Sequence, residues 1–120
     1  MTTNELNQIN HILKKGINRL IKSSMAKHED AIKQDAYQVL DRLKGNLDLW
    51  IIELDENKIS KAMFEFLVYQ KKDELEMNAL AKTELSKMEI EIFKYCLLKQ
   101  IVDSTINSIW VKQFFNESIC

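Results

Sequence analysis

The sequence contains no proline and only two glycines, Gly16 and Gly45. These residues make the tight turns of hairpins and strand-rich folds, so their scarcity argues against a chain of many short, sharply turned elements. Leucine, lysine, glutamate, isoleucine and alanine are plentiful instead, and most of these residues favour helices. The sequence therefore predicts an all-α fold with few, long elements.

The motifs of common enzyme chemistries are missing as well. Two widely separated glycines cannot build a phosphate-binding loop or a dinucleotide fingerprint. Neither Cys96 nor Cys120 lies beside a histidine, and the patterns Gly-x-Ser-x-Gly and Glu-x-x-His do not occur. The two cysteines also give neither a disulfide framework nor a metal-binding spacing. We therefore expect a protein that is not an enzyme and that holds no cofactor and no metal.

The chain also lacks an excess of charge of one sign and any long apolar run. It has 17 Lys and Arg against 18 Asp and Glu, so no overall field attracts it to nucleic acid or to an anionic membrane. Its most apolar stretch, residues 92–111, is interrupted by Lys94, Lys99 and Asp103, which argues against a membrane span. The polar opening MTTNELNQIN is unlike a signal peptide, and we expect a cytoplasmic protein.

What the sequence does contain is apolar periodicity typical of helices. With 120 residues, of which 46% are apolar, it is the size of one domain with one core, over residues 1–120. An apolar stripe with steps of three or four residues crosses the first part of the chain. It predicts one helix over residues 4–44, or two helices that divide near Ser23 and Ser24. The unbroken period favours one helix, whereas the serines would suit a new helix cap. The stripe consists of Ile17, Ile21, Met25, His28, Ile32, Ala36, Val39 and Leu43.

The remaining chain predicts two or three further helices. Glycine often occupies the left-handed position just past a helix end, and Gly45 follows Lys44 in this way. The sequence therefore predicts a break near Gly45. A helix is expected from Lys58 to about Lys82, and Thr83 would cap a last helix from Glu84 to about Phe115. In the helix expected from Lys58, four apolar positions should face the core. They are Ile59, Met63, Phe66 and Leu67. The sequence thus predicts a bundle of about four helices, one or two of them long.

Two groups that could bind a metal have simpler structural interpretations. His28 lies on the apolar stripe without a second ligand at helical spacing, so we interpret it as a residue at the edge of the core, bonded to a neighbour. Glu53 and Glu56 form Glu-x-x-Glu, which is half of a metal-binding pattern of helical hydrolases, but no Glu-x-x-Asp supplies the other half. We interpret this pair as part of a solvated acidic face.

Basic residues near the start of the chain raise a nucleic-acid hypothesis. If the first stretch is one helix, four basic side chains fall close to one of its faces and could follow a phosphate backbone. They are Lys15, Arg19, Lys22 and Lys33. Arginine is scarce, however, and arginine makes most bidentate base contacts. A solvated lysine face is therefore the preferred interpretation.

The last helix is apolar along more than one line, with Met88 and Ile92 on one and Phe93 and Leu97 on another. Helices of this kind lie centrally or are covered by a partner subunit. An apolar cluster near the end of the chain also needs a cover, and tryptophan is a common interface anchor. That cluster is Trp110, Val111, Phe114 and Phe115. We therefore expect a non-catalytic protein that acts through protein–protein contacts, forming a homodimer through residues 84–115 or binding another protein. The alternative is a small regulatory protein that binds nucleic acid, or a nucleic-acid-processing machine, through the basic N-terminal helix.

Overall fold

The computed structural model describes the backbone of residues 1–24 and 26–119, and the side chains of these residues except Ala26 and residues 114–119. Four α-helices follow one another: α1 (Thr3–Ser24), α2 (Glu29–Asp55), α3 (Lys61–Tyr69) and α4 (Lys87–Ile119). Short 3-10 segments lie at Ala26–His28, Gln70–Glu74 and Leu80–Lys82. The predicted all-α bundle of about four helices is confirmed, and α2 and α4 are its long members, with 27 and 33 residues.

The first apolar stripe belongs to two helices. α1 and α2 run antiparallel, because Asn10 Nδ2 donates to Asp48 Oδ1 at 3.4 Å while the Tyr37 hydroxyl donates to Asn18 Oδ1 nearer the connection. Both helices turn the stripe towards the core, which is why its period survives the break between them. Among its described members, only His28 is not buried. The buried members are Ile17, Ile21, Ile32, Ala36, Val39 and Leu43.

The predicted break near Gly45 is wrong. α2 passes through Gly45, whose φ is not positive, and continues to Asp55. Leu43, Leu47 and Ile51 extend the buried stripe on both sides of the glycine. Burying one such side chain is worth about 1.5–3 kcal/mol, more than the cost of roughly 0.5–1 kcal/mol of a glycine inside a helix.

The end of α2 lies ten residues further on, in the segment Asp-Glu-Asn at 55–57. Asn57 has a φ of 59°, a left-handed conformation that asparagine tolerates better than most residues. The Lys58 N–H donates to the Glu53 carbonyl at 2.8 Å, and the Asn57 N–H donates to the Leu54 carbonyl at 3.2 Å. This pair of bonds is the Schellman motif, which satisfies carbonyls that a helix end leaves free.

α3 is shorter than the helix predicted over residues 58–82, and it buries a different face. Ser60 caps it by accepting the Met63 N–H at 3.0 Å, and Phe64 and Val68 enter the core. Met63 and Phe66, which were expected to face the core, are 46% and 59% exposed. The buried face therefore lies one to two positions away from the predicted one.

A buried carboxylate holds the chain that follows α3. Asp35 of α2 is 1% exposed, and its two oxygens accept the N–H groups of Ala79 at 3.0 Å and Leu80 at 2.8 Å. These bonds fix the start of the last 3-10 segment against α2 while Leu75 and Met77 enter the core. A continuous helix through this region would use the same N–H groups for its own carbonyls.

α4 begins three residues later than predicted and reaches Ile119. Ser86 accepts the Glu89 N–H at 3.2 Å, and Glu89 Oε1 accepts the Ser86 N–H at 3.4 Å, which is a capping box. Thr83, the predicted cap, instead accepts the Leu85 N–H at 3.3 Å before the helix starts. At 33 residues, α4 runs most of the 53 Å length of the molecule.

The most extensive contact between helices joins α1 and α4. Gly16 lies at this contact and is buried. A Cβ atom on Gly16 would lie 2.5 Å from Gln100 Nε2 and 3.1 Å from Ser104 Oγ, both on α4. The absence of a side chain at position 16 thus permits the close approach of the two helices.

Candidate interaction surface

One line of exposed residues runs along the side of α4 that faces solvent. Its members follow one another at intervals of three or four residues, so they lie on one face of the helix. We call it the outer line; it consists of Met88, Ile92, Tyr95, Lys99, Asp103, Asn107 and Trp110, all exposed.

The outer line is unusual because it presents apolar groups to water. Met88 is 73% exposed, Ile92 57%, Tyr95 50% and Trp110 57%. α4 carries five of the nine large apolar side chains that are exposed in the described part of the chain. A helix on a protein surface normally turns its polar residues outward, and contiguous apolar patches typically mark a binding surface.

α3 extends this apolar surface beside the first half of α4. The rings of Tyr69 and Tyr95 stack with centroids 5.4 Å apart and planes 13° from parallel. Burial, with a smaller contribution from nearby Tyr95, raises the pKa of the Tyr69 hydroxyl. The stack gives Tyr95 a fixed position while half of its surface stays in solvent.

The structure separates Trp110 from Val111, two of the four residues that the sequence grouped near the end of the chain. Trp110 lies on the outer line, whereas Val111, 42% exposed, lines the groove between α1 and α4 together with Ile12. Phe114 and Phe115 lie on α4, but their side chains fall outside the described residues. The sequence-based site missed Met88, Ile92 and Tyr95. The signal for Met88 and Ile92 was the apolar line that these two residues form along the last helix.

The groove between α1 and α4 has a volume of about 470 Å³ and mixes apolar and charged walls. At its end, Lys112 Nζ lies 2.6 Å from Glu5 Oε2 and 3.0 Å from Asp55 Oδ2. Burial works against the charge of Lys112, but the bonds to Glu5 and Asp55 outweigh it and raise the pKa of the ammonium. The bond from Lys112 likewise lowers the pKa of the Glu5 carboxyl. This cluster ties together α1, α2 and α4 and leaves Lys112 engaged within the fold.

The basic residues of the nucleic-acid hypothesis fall on two helices. Lys15, Arg19 and Lys22 are exposed on one side of α1 at spacings of four and three residues. Lys33 lies on α2, beyond the break, and its Nζ is 3.2 Å from Glu29 Oε1. The structure therefore brings three of the four together on α1 and gives the fourth its own acidic neighbour.

The residues considered as metal ligands are scattered. Glu56 follows the last residue of α2 and bonds Lys58 at 2.9 Å, a contact that lowers the pKa of the Glu56 carboxyl. Glu53 lies in the last turn of α2, and His28 is half-buried just before that helix and makes no side-chain bond to its start. Among the described residues, no three His, Cys, Asp or Glu side chains are grouped to hold a metal ion.

Within the part of the chain that the structure describes, no helix combines the length and the apolar character needed to cross a membrane. Comparisons with known proteins give no match to any family model, to any curated protein or to any solved structure.

Proposed function

We propose that this chain is a non-catalytic interaction module that self-associates through the outer line of α4. The observation that carries the proposal is the exposure of Ile92 and Trp110, each 57%, on one face of a 33-residue helix. Burying a large apolar side chain is worth about 1.5–3 kcal/mol, so covering several on one face supplies the main driving force of an ordinary interface. A reducing compartment such as the cytoplasm suits the module, since Cys96 is a free thiol.

Molar mass in solution tests the proposal. The wild-type chain should elute with about twice its 14.1 kDa when measured by light scattering from micromolar to submillimolar concentration. Ile92→Glu and Trp110→Glu should each weaken the dimer at least about tenfold, because a buried charge replaces an apolar anchor.

Leu49→Glu is the matched control for these variants. Leu49 is 52% exposed, similar to Ile92 and Trp110, but it lies on α2 and away from the outer line. The control should keep the wild-type dimer, and all three variants should unfold at the wild-type temperature when compared as monomers. A wild-type chain that stays monomeric throughout, or a dimer insensitive to both α4 variants, would contradict the proposal.

A second candidate, nucleic-acid binding, is supported by the exposed side of α1. α1 carries Lys14, Lys15, Arg19 and Lys22 but only one acidic residue, Glu5, and the pairing of Glu5 with Lys112 leaves the basic side without a nearby counter-charge on its own helix. Such a helix can neutralise phosphates, with an affinity that falls steeply as salt rises.

Fluorescence anisotropy with labelled duplex DNA and RNA tests this candidate. At low salt the wild-type chain should bind, and replacing Lys15, Arg19 and Lys22 together by glutamate should abolish binding. The control reverses three exposed lysines elsewhere, Lys44, Lys61 and Lys82, and should retain most of the affinity. Equal loss in both triple variants would indicate only a general charge effect and would exclude a site on α1.

A further inference from the structure

We infer that self-association pairs α4 with α4 of a second copy in antiparallel orientation, about a two-fold axis that crosses the outer line midway between Lys99 and Asp103, at the level of Ile101. This inference rests on the proposed function, because it assumes that the outer line is the surface that becomes buried. It adds the orientation, the register and the charge pairs that select a second copy of this chain as the partner.

The spacing of the outer line carries the inference. Counting from Ile101, its members from Ile92 to Trp110 lie symmetrically: Lys99 and Asp103 are two residues away on either side, Tyr95 and Asn107 six, and Ile92 and Trp110 nine. A two-fold axis at Ile101 therefore places each of these six residues directly opposite another of them in the second copy. Parallel pairing would place each residue opposite itself.

The charged residues at the centre meet opposite charges only in the antiparallel arrangement. Lys99 meets Asp103 of the second copy, and Asp103 meets its Lys99, so one contact gives two ion pairs. Further from the axis, the aliphatic side chain of Ile92 meets the aromatic side chain of Trp110 of the second copy. In a parallel pair, Lys99 would face Lys99 and Asp103 would face Asp103, and like charges directly opposed disfavour association.

Both charges at the centre are available for such a contact. Lys99 and Asp103 are exposed, and the ion pairs among the described residues do not include either of them. The neighbouring lysine on this helix, Lys94, is already bonded to Glu91 at 2.9 Å. The centre of the outer line thus holds one cation and one anion whose complements lie on a second copy.

The geometry of the line allows two helices to stay in contact along it. From Met88 to Trp110 the line makes six turns in 22 residues, about 3.67 residues per turn, close to the 3.6 of a straight α-helix. It therefore remains on one face over a length of roughly 33 Å at 1.5 Å per residue. Two such helices can pack side by side with little supercoiling.

Charge reversal tests the register. Lys99→Asp and Asp103→Lys should each weaken the dimer at least about tenfold, because both copies of the central pair become repulsive. The double variant Lys99→Asp/Asp103→Lys restores opposite charges across the axis and should dimerise within about threefold of the wild type. Single reversals that leave the affinity unchanged would contradict this central pairing. Because four like charges would also repel in a parallel dimer, the distance between labels decides the orientation.

A distance between labels tests the orientation independently. A spin label on Lys87→Cys, with Cys96 and Cys120 replaced by serine, lies 14 residues from the axis. Antiparallel helices would separate the two labels by about 42 Å along the axis, whereas parallel helices would bring them within about 20 Å. The mass of the labelled protein, measured first, confirms that the substitutions leave the dimer intact.

The outcomes separate this inference from the proposed function. A dimer that depends on Ile92 and Trp110, shows the long label distance and is rescued by double reversal supports both. The same dependence with a short label distance, or without rescue, overturns the antiparallel register and leaves self-association standing. A monomeric wild-type chain overturns both.

Discussion

Replacement of Asp35 by alanine should lower the free energy of unfolding by about 3 kcal/mol. The carboxylate is 1% exposed and accepts the N–H groups of Ala79 and Leu80 at 3.0 and 2.8 Å. A hydrogen bond to a charged group contributes about 1.5–3 kcal/mol, and its removal leaves a donor without a partner. Since two donors lose their acceptor at once, the effect should exceed that of an ordinary surface mutation several-fold.

Urea unfolding at one fixed protein concentration measures this effect, because association would otherwise add to the apparent stability. Asp35→Asn is the control: its single amide oxygen can accept one of the two N–H groups, so its loss should be roughly half that of alanine. Hydrogen exchange should also accelerate at Ala79 and Leu80 before the rest of the core. A stability loss below about 1 kcal/mol for Asp35→Ala would show that the contact contributes little.

Gly16→Val should lower the free energy of unfolding by roughly 2–3 kcal/mol. Even a Cβ at this position would come within 2.5 Å of Gln100 Nε2, so the amide, which bonds Ser104 Oγ at 2.7 Å, must move. Ser104 lies 3.1 Å away and packs in the same contact, so the two methyl groups of valine would push α1 away from α4. The better helix propensity of valine recovers only a few tenths of a kcal/mol.

Gly45→Val makes the same chemical change where there is room. Gly45 is exposed and lies within α2, and a Cβ atom on it would meet no other side chain or helix within 4 Å. The free energy of unfolding of this variant should stay within about 0.5 kcal/mol of the wild type. Equal destabilisation of both variants in urea unfolding would mean that the contact between α1 and α4 does not set the cost at Gly16.

The sequence predicted the parts of the fold that depend on local periodicity. The described apolar members of the stripe from Ile17 to Leu43 enter the core as expected. Gly45 was misleading because the local preference of one residue competes with the burial of several side chains around it. The cap at Ser86 was available from the pattern Ser-x-x-Glu, but Thr83 three residues earlier offered an equally plausible start.

Contacts between distant segments could not be predicted. Asp35 bonds to residues 44 and 45 positions away, and nothing in the sequence near Asp35 or near Leu80 distinguishes that pairing from others. The buried face of α3 was missed for a related reason: Phe64 and Phe66 are equally apolar, and the positions of α2 and α4 decide which ring is covered. The two apolar lines of α4 were visible in the sequence, but their division into core and surface was not.

The contact between α1 and α4 also determines the order in which the fold can be completed. α1 and α2 are adjacent in the chain and can pair early. The contact between α1 and α4 forms later, because α4 starts more than sixty residues after α1 ends. Until α4 docks, part of the apolar face of α1, which includes Ile9, Leu13 and Ile17, stays exposed to water. During synthesis, the growing chain therefore exposes the apolar face of the α1–α2 hairpin until α4 has left the ribosome. We expect folding speed to depend on this closure, and aggregation during expression to depend on how quickly α4 docks.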